Sequence, residues 1–514
     1  MRKRYSFLNI VSGIFSQFIL IILGLISRKI FVNIMGLELL GINGLFSNII
    51  SMLSLAELGI GGAIYYSLYK PLANNDLEQV KATMQLYGKF YKYIALAVGA
   101  IGLLFVPFIN IIIKENVDNT YLIKIYLCFL LDSVLSYILV YKKNIFSADQ
   151  KSYIINIIQT IFSFLISVMQ IVILITTHDF ILYLIAKILL GFLCNIIFYL
   201  LANKKYPYLK GKDVVKLNSK DKAEIIKNAK ALFIGSIAGY CVFGTDNILI
   251  SIFIGITEVG LYSNYILIIT IISNLVGQVF NGVRASFGNF LIKESLDKYH
   301  ELFNKIYFLN FWITCFSSVC LIALLNPFIS LWIGKNAIFP FHVVIIIVVN
   351  FYLRSMTSAI ETVRNSAGLY SPYPFFKYWS LLEGIINLLI CVILAGLFKL
   401  GIMGILLATT ISTASLIFVM PWNVYKYVFK RSLKPYCKNF FIYLLCSIFI
   451  TAVILICCNL ITTTDAVLVL LIRGIICLFF PNIIIVLLFH KTSEFQYILN
   501  LLVGLKKITK KENK

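Results

Sequence analysis

Apolar residues fill this chain in runs of roughly 20 or more, without the alternation of a half-buried strand, and short polar stretches separate the runs. About 20 apolar residues are needed to cross about 30 Å of hydrocarbon as a helix. The pattern predicts fourteen spanning helices, at about 6–33, 38–66, 83–113, 119–141, 152–176, 179–202, 229–254, 257–284, 304–333, 338–363, 375–398, 401–425, 437–460 and 466–489. Barrel strands would read as short alternating segments instead. The expected fold class is an all-α polytopic membrane protein.

The stretch FGTDNILISIFIGITEVGLYSNYILIITIISNLVGQVFNGVRASFGN, Phe243 to Asn289, repeats an earlier one. Gly36, Gly41 and Leu77 recur at one constant spacing as Gly255, Gly260 and Leu296, and Pro107-Phe108 recurs one residue later as Pro327-Phe328. The chain therefore reads as two copies of one membrane unit. The longest polar stretch, NKKYPYLKGKDVVKLNSKDKAEIIKNAK from Asn203 to Lys230, separates the first six spans from the rest. The expected organisation is an N-lobe over 1–203, a basic linker over 204–228, a C-lobe over 229–427, two further spans within 428–490 and a basic tail over 491–514.

Composition agrees with the spans, since 60% of the 514 residues are hydrophobic and 13% charged, against about 45–50% and about 25% in soluble proteins. A net charge of +23 suggests nucleic acid until the positions are read. With a cytoplasmic N-terminus, the inner segments hold Arg2, Lys3 and Arg4, Lys70 to Lys92, Lys142 to Lys151, the linker lysines and Lys426 to Lys438, whereas the outer turns hold Lys114, Lys124, Lys335 and Lys399. That asymmetry follows the positive-inside rule. Both termini are expected in the cytoplasm and no nucleic-acid partner is needed. The tail from Glu494 reads either as a basic amphipathic helix on the anionic inner leaflet or as a solvated tail. The N-terminal apolar run is too long for a signal peptide and lacks a small-residue cleavage site, so it is expected to remain as the first span.

The eleven cysteines lie mostly inside apolar runs without ligand spacing, and the four histidines form no HExxH-type pair. No metal and no cofactor is expected, and no GxxxxGK[ST] motif is present. Candidate chemistry rests on ionisable residues inside spans: Arg28, Lys29, Glu57, Asp132, Lys187, Asp246, Arg354, Glu361, Glu383 and Arg473. Such a charge costs at least ~2.5 kcal/mol by insertion scales and marks a cavity, a pathway or an ion pair.

Each has a plainer alternative. Arg28 and Lys29 sit in the outer part of their span, where long side chains reach the interface; at the repeat spacing Arg28 also matches the neighbourhood of Asp246, so the two can pair across the lobes. Arg354 lies near the bilayer centre, where its planar fork suits phosphate oxygens. Asp132 serves as counter-ion to Arg354 or Lys187, or as an ion-coupling site. Glu57 stands beside Gly59, Gly61 and Gly62, which permit close helix approach. Glu361 and Arg364, three apart, share a helix face as a surface pair or a functional one. Glu383 and Arg473 lie nearer span ends.

Several stretches together resemble the polysaccharide-export branch of the multidrug/oligosaccharidyl-lipid/polysaccharide exporter superfamily, the Wzx-type flippases: LGINGLFSNIISMLSLAELGIGGAIYYSLYKPLANND (40–76), GTDNILIS with VGLYSNY (244–265), ASFGN (285–289), RNSAGLY with EGIINLLICVIL (364–394), GIMGILLATTIS (401–412) and PWNVYKYVFK (421–430). The resemblance implies a MATE-like fold, with two pseudo-symmetric six-helix lobes around a central cavity plus two C-terminal helices, working by alternating access. It implies as cargo an undecaprenyl-diphosphate-linked oligosaccharide repeat unit, moved from the inner to the outer leaflet of the bacterial cytoplasmic membrane for capsule, O-antigen or exopolysaccharide synthesis. Other polysaccharide-assembly proteins and membrane lipids are the partners it implies. A cationic cavity for the diphosphate would draw on Arg28, Arg284 and Arg354, with Glu57, Asp132, Lys187, Asp246, Glu361 and Arg364 as charge-pair or H⁺/Na⁺-coupling residues.

A cargo of charge about −2 leaving a cell negative inside gains roughly 4.6 kcal/mol per 100 mV, so voltage alone is a sufficient drive. The alternative on the same fold is a MATE-type drug or cation antiporter, which favours acidic and aromatic cavities. A membrane polymerase or ligase would need a sizeable outer loop, and the outer turns are short. The expectation is a transporter rather than an enzyme.

Overall fold

The computed structural model describes residues 2–55, 57, 67–113, 118–210, 222–223, 225–226, 240, 244–367 and 374–500. Every regular element among the described residues is helical, as a chain in lipid requires when each backbone N–H and C=O must be satisfied within its own segment. Eleven of these helices are long and apolar enough to cross a membrane. The first of them, Val11–Leu53, has 43 residues, about 65 Å at 1.5 Å per residue and enough for two crossings. It is broken at Gly36, with φ 80° and ψ 177°, between the expected spans 6–33 and 38–66. The expected span at 229–254 falls largely outside the described residues. At 375–398 the apolar helical stretch Leu382–Leu397 is shorter than the others.

The chain divides into two compact units, Met1–Gly260 and Leu261–Lys514. The first contains α1 (Arg2–Leu53), α2 (Leu77–Phe105), α3 (Asn119–Val140), α4 (Ser152–Thr177), α5 (Phe180–Lys205) and α6 (Asp246–Phe253). Here α1 packs on α4, α3 on both α2 and α5, and α4 on α5; α6 lies against α1, which places the described end of the seventh span in this unit. Helix α7 (Ile256–Lys293) begins in the first unit and continues into the second.

The second unit holds α8 (Leu296–Trp332), α9 (Phe341–Met356), α10 (Ser358–Ser366), α11 (Pro374–Cys391), α12 (Gly401–Val424), α13 (Lys434–Asn459) and α14 (Ala466–Phe489). Helix α8 packs on α9, α13 and α14, and α12 packs on α9 and α11. Aromatic rings knit α8 to its neighbours: Tyr307 stacks on Tyr436 at 5.0 Å and Phe311 on Tyr443 at 4.3 Å between ring centres. Offset stacks of this kind add about 0.5–1.5 kcal/mol each beyond the area they bury.

The few aspartates at helix starts have a local purpose. Asp76 accepts from the Gln79 N–H at 2.9 Å, Asp118 from Thr120 at 3.2 Å, Asp179 from Ile181 at 2.7 Å and Asp465 from Val467 at 2.8 Å. Each fills an orphan donor at the positive end of its helix. They are caps. Past the end of α5, the Tyr206 hydroxyl donates to Asp149 Oδ2 at 2.7 Å; burial first, and then that bond, push the phenol far above its ordinary range.

The internal repeat has a geometric counterpart. Gly36 and Gly255 both take positive φ, 80° and 152°, a region that favours glycine because it has no Cβ to clash. Five residues on, Gly41 and Gly260 mark a close crossing of α1 with the start of α7. A Cβ on Gly41 would strike the Ile256 carbonyl, and one on Gly260 the Leu37 carbonyl.

Candidate functional site

Ser47, Ser51 and Ser54 follow one another at helical spacing along α1 and its continuation, and Glu57 comes next on that run. On α3, Asp132, Ser133 and Ser136 share a short polar stretch inside an apolar helix, and α5 contributes Lys187. Packing of α3 against α5 and α1 gathers these side chains around an open cavity of about 450 Å³ within the first unit, with Phe129 and Tyr137 on its wall.

At its centre Lys187 Nζ stands 3.0 Å from Asp132 Oδ2, with the side chains 43% and 28% exposed. The same ammonium lies 5.6 Å from the Phe129 ring centre. The exposure matters because a pair open to a cavity can be broken by a ligand, whereas a fully enclosed pair would leave stranded charge. The Ser54 and Ser133 hydroxyls meet at 3.5 Å. Glu57 is held from behind: the Tyr91 hydroxyl donates to its Oε1 at 2.9 Å, the Tyr87 hydroxyl donates to Tyr91 at 3.2 Å, and Asn144 Nδ2 donates to Tyr87. Tyr87 and Tyr91 are fully buried, so this chain fixes the carboxylate through packed rings that meet edge to face at 4.7 Å. The cavity thus offers a bank of hydroxyls, an openable ion pair and an anchored carboxylate. Such a surface can bond polyhydroxylated molecules and can exchange a cation or an anionic group.

The second unit gathers another set of the expected residues. Arg354 lies in the last turn of α9 and interacts electrostatically with Glu361 on α10 and Glu383 on α11. Glu383 is 4% exposed, whereas the Arg354 residue is exposed. The turn between α9 and α10 tightens at Thr357, whose hydroxyl and N–H both bond the Arg354 carbonyl, at 2.7 and 3.1 Å. Arg364 stands one turn after Glu361 on the same short helix.

Other expectations fall elsewhere. Arg28, on α1, faces the Tyr183 phenol of α5. Asp246 is buried in the first turn of α6. Arg28 and Asp246 both lie within the first unit. Arg284 is on α7, with its side chain outside the described residues. Arg473 on α14 donates to the Ala323 carbonyl at 3.4 Å. Sequence reasoning passed over the hydroxyls: the spacing of Ser47, Ser51 and Ser54 and the polar patch Asp132, Ser133 and Ser136 were the available signals. For Tyr91 the signal was absent, because a tyrosine in an apolar helix looks like any other core aromatic.

The fold has close counterparts among solved structures. The lipid II flippase MurJ in an inward closed conformation superposes with a TM-score of 0.68, over 94% of this chain and 99% of that one, at 17% identity. A Vibrio cholerae MATE transporter matches at 0.57 over 84% and 97%, at 13% identity. A MOP superfamily transporter from Pyrococcus furiosus, described by a reversed polarity of its binding pocket, matches at 0.53 over 84% and 97%, at 12% identity. No curated protein matches the chain in sequence. These likenesses establish the fold, and the eleven apolar helices among the described residues make the chain a multi-pass membrane protein. A family model described as polysaccharide biosynthesis protein matches residues 7–283, more than half of the sequence, and the chain belongs to that family.

Proposed function

We propose that this protein flips undecaprenyl-diphosphate-linked oligosaccharide repeat units from the inner to the outer leaflet of the bacterial cytoplasmic membrane, by alternating access. The observation that carries the reading is the family match over residues 7–283 in a chain whose fold superposes end to end on a lipid II flippase. In this reading the sugar hydroxyls meet the serine bank and carboxylates of the first unit, and Arg28, Arg284 and Arg354 are each a candidate for contact with the diphosphate. A guanidinium stays charged at every relevant pH and presents two parallel donors to phosphate oxygens. Within the first unit, Lys187 becomes free to meet an anionic group when Asp132 releases it. Both termini face the cytoplasm.

The test is depletion of the protein in its native cell, with mass analysis of lipid-linked intermediates on each membrane face. Complete repeat units should accumulate on the inner face, and the wild-type gene but not Arg354→Ala should clear them. Units reaching the outer face at the normal rate would overturn the proposal.

One feature favours a second reading. The first-unit cavity holds two carboxylates, Glu57 and Asp132, against one ammonium, Lys187, and an excess of carboxylate suits a cation. A MATE-type antiporter would use it for cargo, whereas a flippase would use it for proton or sodium coupling. Drug or cation efflux that persists without any lipid-linked sugar would favour the antiporter.

A further inference from the structure

The turn joining α12 to α13 is built for something other than connection. Helix α12 ends in a π-helical turn, Tyr425–Phe429, closed by Lys430 with φ 54° and ψ 43°. Beyond it, the half-exposed Arg431 donates to Asp297 Oδ1 at 2.5 Å and meets His300 Nδ1 at 3.3 Å, while His300 Nε2 meets the Tyr425 hydroxyl at 3.1 Å. On the other side Lys426 Nζ stands 4.7 Å above the Trp422 ring and 5.3 Å from that of Tyr427.

Trp422, Tyr425, Lys426, Lys430, Arg431, Ser432 and Leu433 line an open cavity of about 500 Å³. Its depth in the membrane follows from the chain itself. The spans Gly401–Phe429 and Lys434–Asn459 flank it directly, so the cavity lies at a membrane–water boundary with apolar helix surface below it. Trp422 is exposed, which suits an indole at headgroup level.

We propose that this cavity holds the phosphoryl headgroup of an anionic phospholipid, whose acyl chains lie along the exposed apolar faces of α12 and α13. Lys426 and Lys430 supply the charge, Arg431, which also pairs with Asp297, further guanidinium donors, and Ser432 a hydroxyl donor. Phe418, Phe441 and Leu445, all exposed on these two helices, line the path of the chains. A soluble phosphate would gain nothing from that apolar surface, which is why the assignment is to a lipid.

The full-length protein in neutral detergent would be titrated with phosphatidylglycerol and with phosphatidylcholine, counting the first lipid bound by native mass spectrometry, and with inorganic phosphate by calorimetry. Phosphatidylglycerol should bind first and saturably. Each lysine near an anionic lipid is worth about fivefold, so the Lys426→Gln/Lys430→Gln protein should bind it roughly thirtyfold more weakly. The pair Lys335→Gln/Lys399→Gln, in exposed turns away from the cavity, should bind as wild type. Lys430→Gln alone, expected to lose about fivefold, gives the same test should the double variant not fold. Equal binding of the two lipids, an unchanged affinity in the Lys426/Lys430 variants, or inorganic phosphate binding as tightly as the lipid would each overturn the assignment.

Discussion

Removing Lys187 should cost more than removing Lys187 and Asp132 together. At 3.0 Å the Coulomb attraction between the two charges is about 5.5 kcal/mol for an effective dielectric constant near 20. The exposure of both side chains, 43% and 28%, leaves each ion partly solvated and screened, so the net coupling falls to about 1–2 kcal/mol. Lys187→Met leaves a carboxylate facing the Phe129 ring and the serine bank; Asp132→Asn leaves an ammonium in the same place. The double variant leaves neither. Unfolding titrations of the four proteins in mixed micelles give the coupling as the departure from additivity, and the expected value is about 1–2 kcal/mol, roughly tenfold in the folding equilibrium. Stabilities that add to within about 0.3 kcal/mol would refute the reasoning and reduce the pair to an incidental contact. Transport separates structure from use: the charge-swapped protein, Asp132→Lys with Lys187→Asp, should recover stability but not flux, because the ammonium would then project from α3 rather than α5.

Four further outcomes are expected. Gly260→Val should destabilise the protein by about 1–3 kcal/mol through collision with the Leu37 backbone, while Gly24→Ala, with open space around it, should leave the unfolding midpoint unchanged or raised. Tyr91→Phe removes the hydrogen bond to Glu57 and should cost about 1.5–3 kcal/mol, as bonds to charged groups do, read by the same titration. Arg354→Lys should fail to restore flux lost in Arg354→Ala, since a point charge lacks the two parallel donors of the guanidinium; full rescue would show that charge alone suffices. On the proposed reading, collapsing the membrane potential while holding ion gradients should slow flux, because a cargo of charge about −2 would lose roughly 4.6 kcal/mol of drive per 100 mV.

Much of the architecture was legible because membrane physics constrains sequence so strongly. Long apolar runs have one stable form in lipid, and the repeated Gly36/Gly41 and Gly255/Gly260 pairs return in the structure as matched positive-φ breaks and one close crossing. For Asp132 the sequence left open a pair with Lys187, a pair with Arg354 or ion coupling, and the packing of α3 on α5 brings it to Lys187. Glu383 reads from its sequence position as a marginal residue near a span end, yet packing brings it to Arg354. Its neighbour in space is 29 residues away in the chain, with a helix break between, and no local pattern encodes that distance. The anchoring of Glu57 by Tyr91 and Tyr87 was equally invisible, since hydrophobic pattern treats a tyrosine ring as core and says nothing of where its hydroxyl points.

The most direct test of flipping uses purified protein in sealed liposomes carrying a labelled undecaprenyl-diphosphate oligosaccharide, initially on one leaflet, with an impermeant glycosidase added outside. The account predicts that the protected fraction becomes cleavable at a rate that depends on the protein and falls in Arg354→Ala. Protection that persists equally with and without the protein, under an imposed membrane potential, would contradict it.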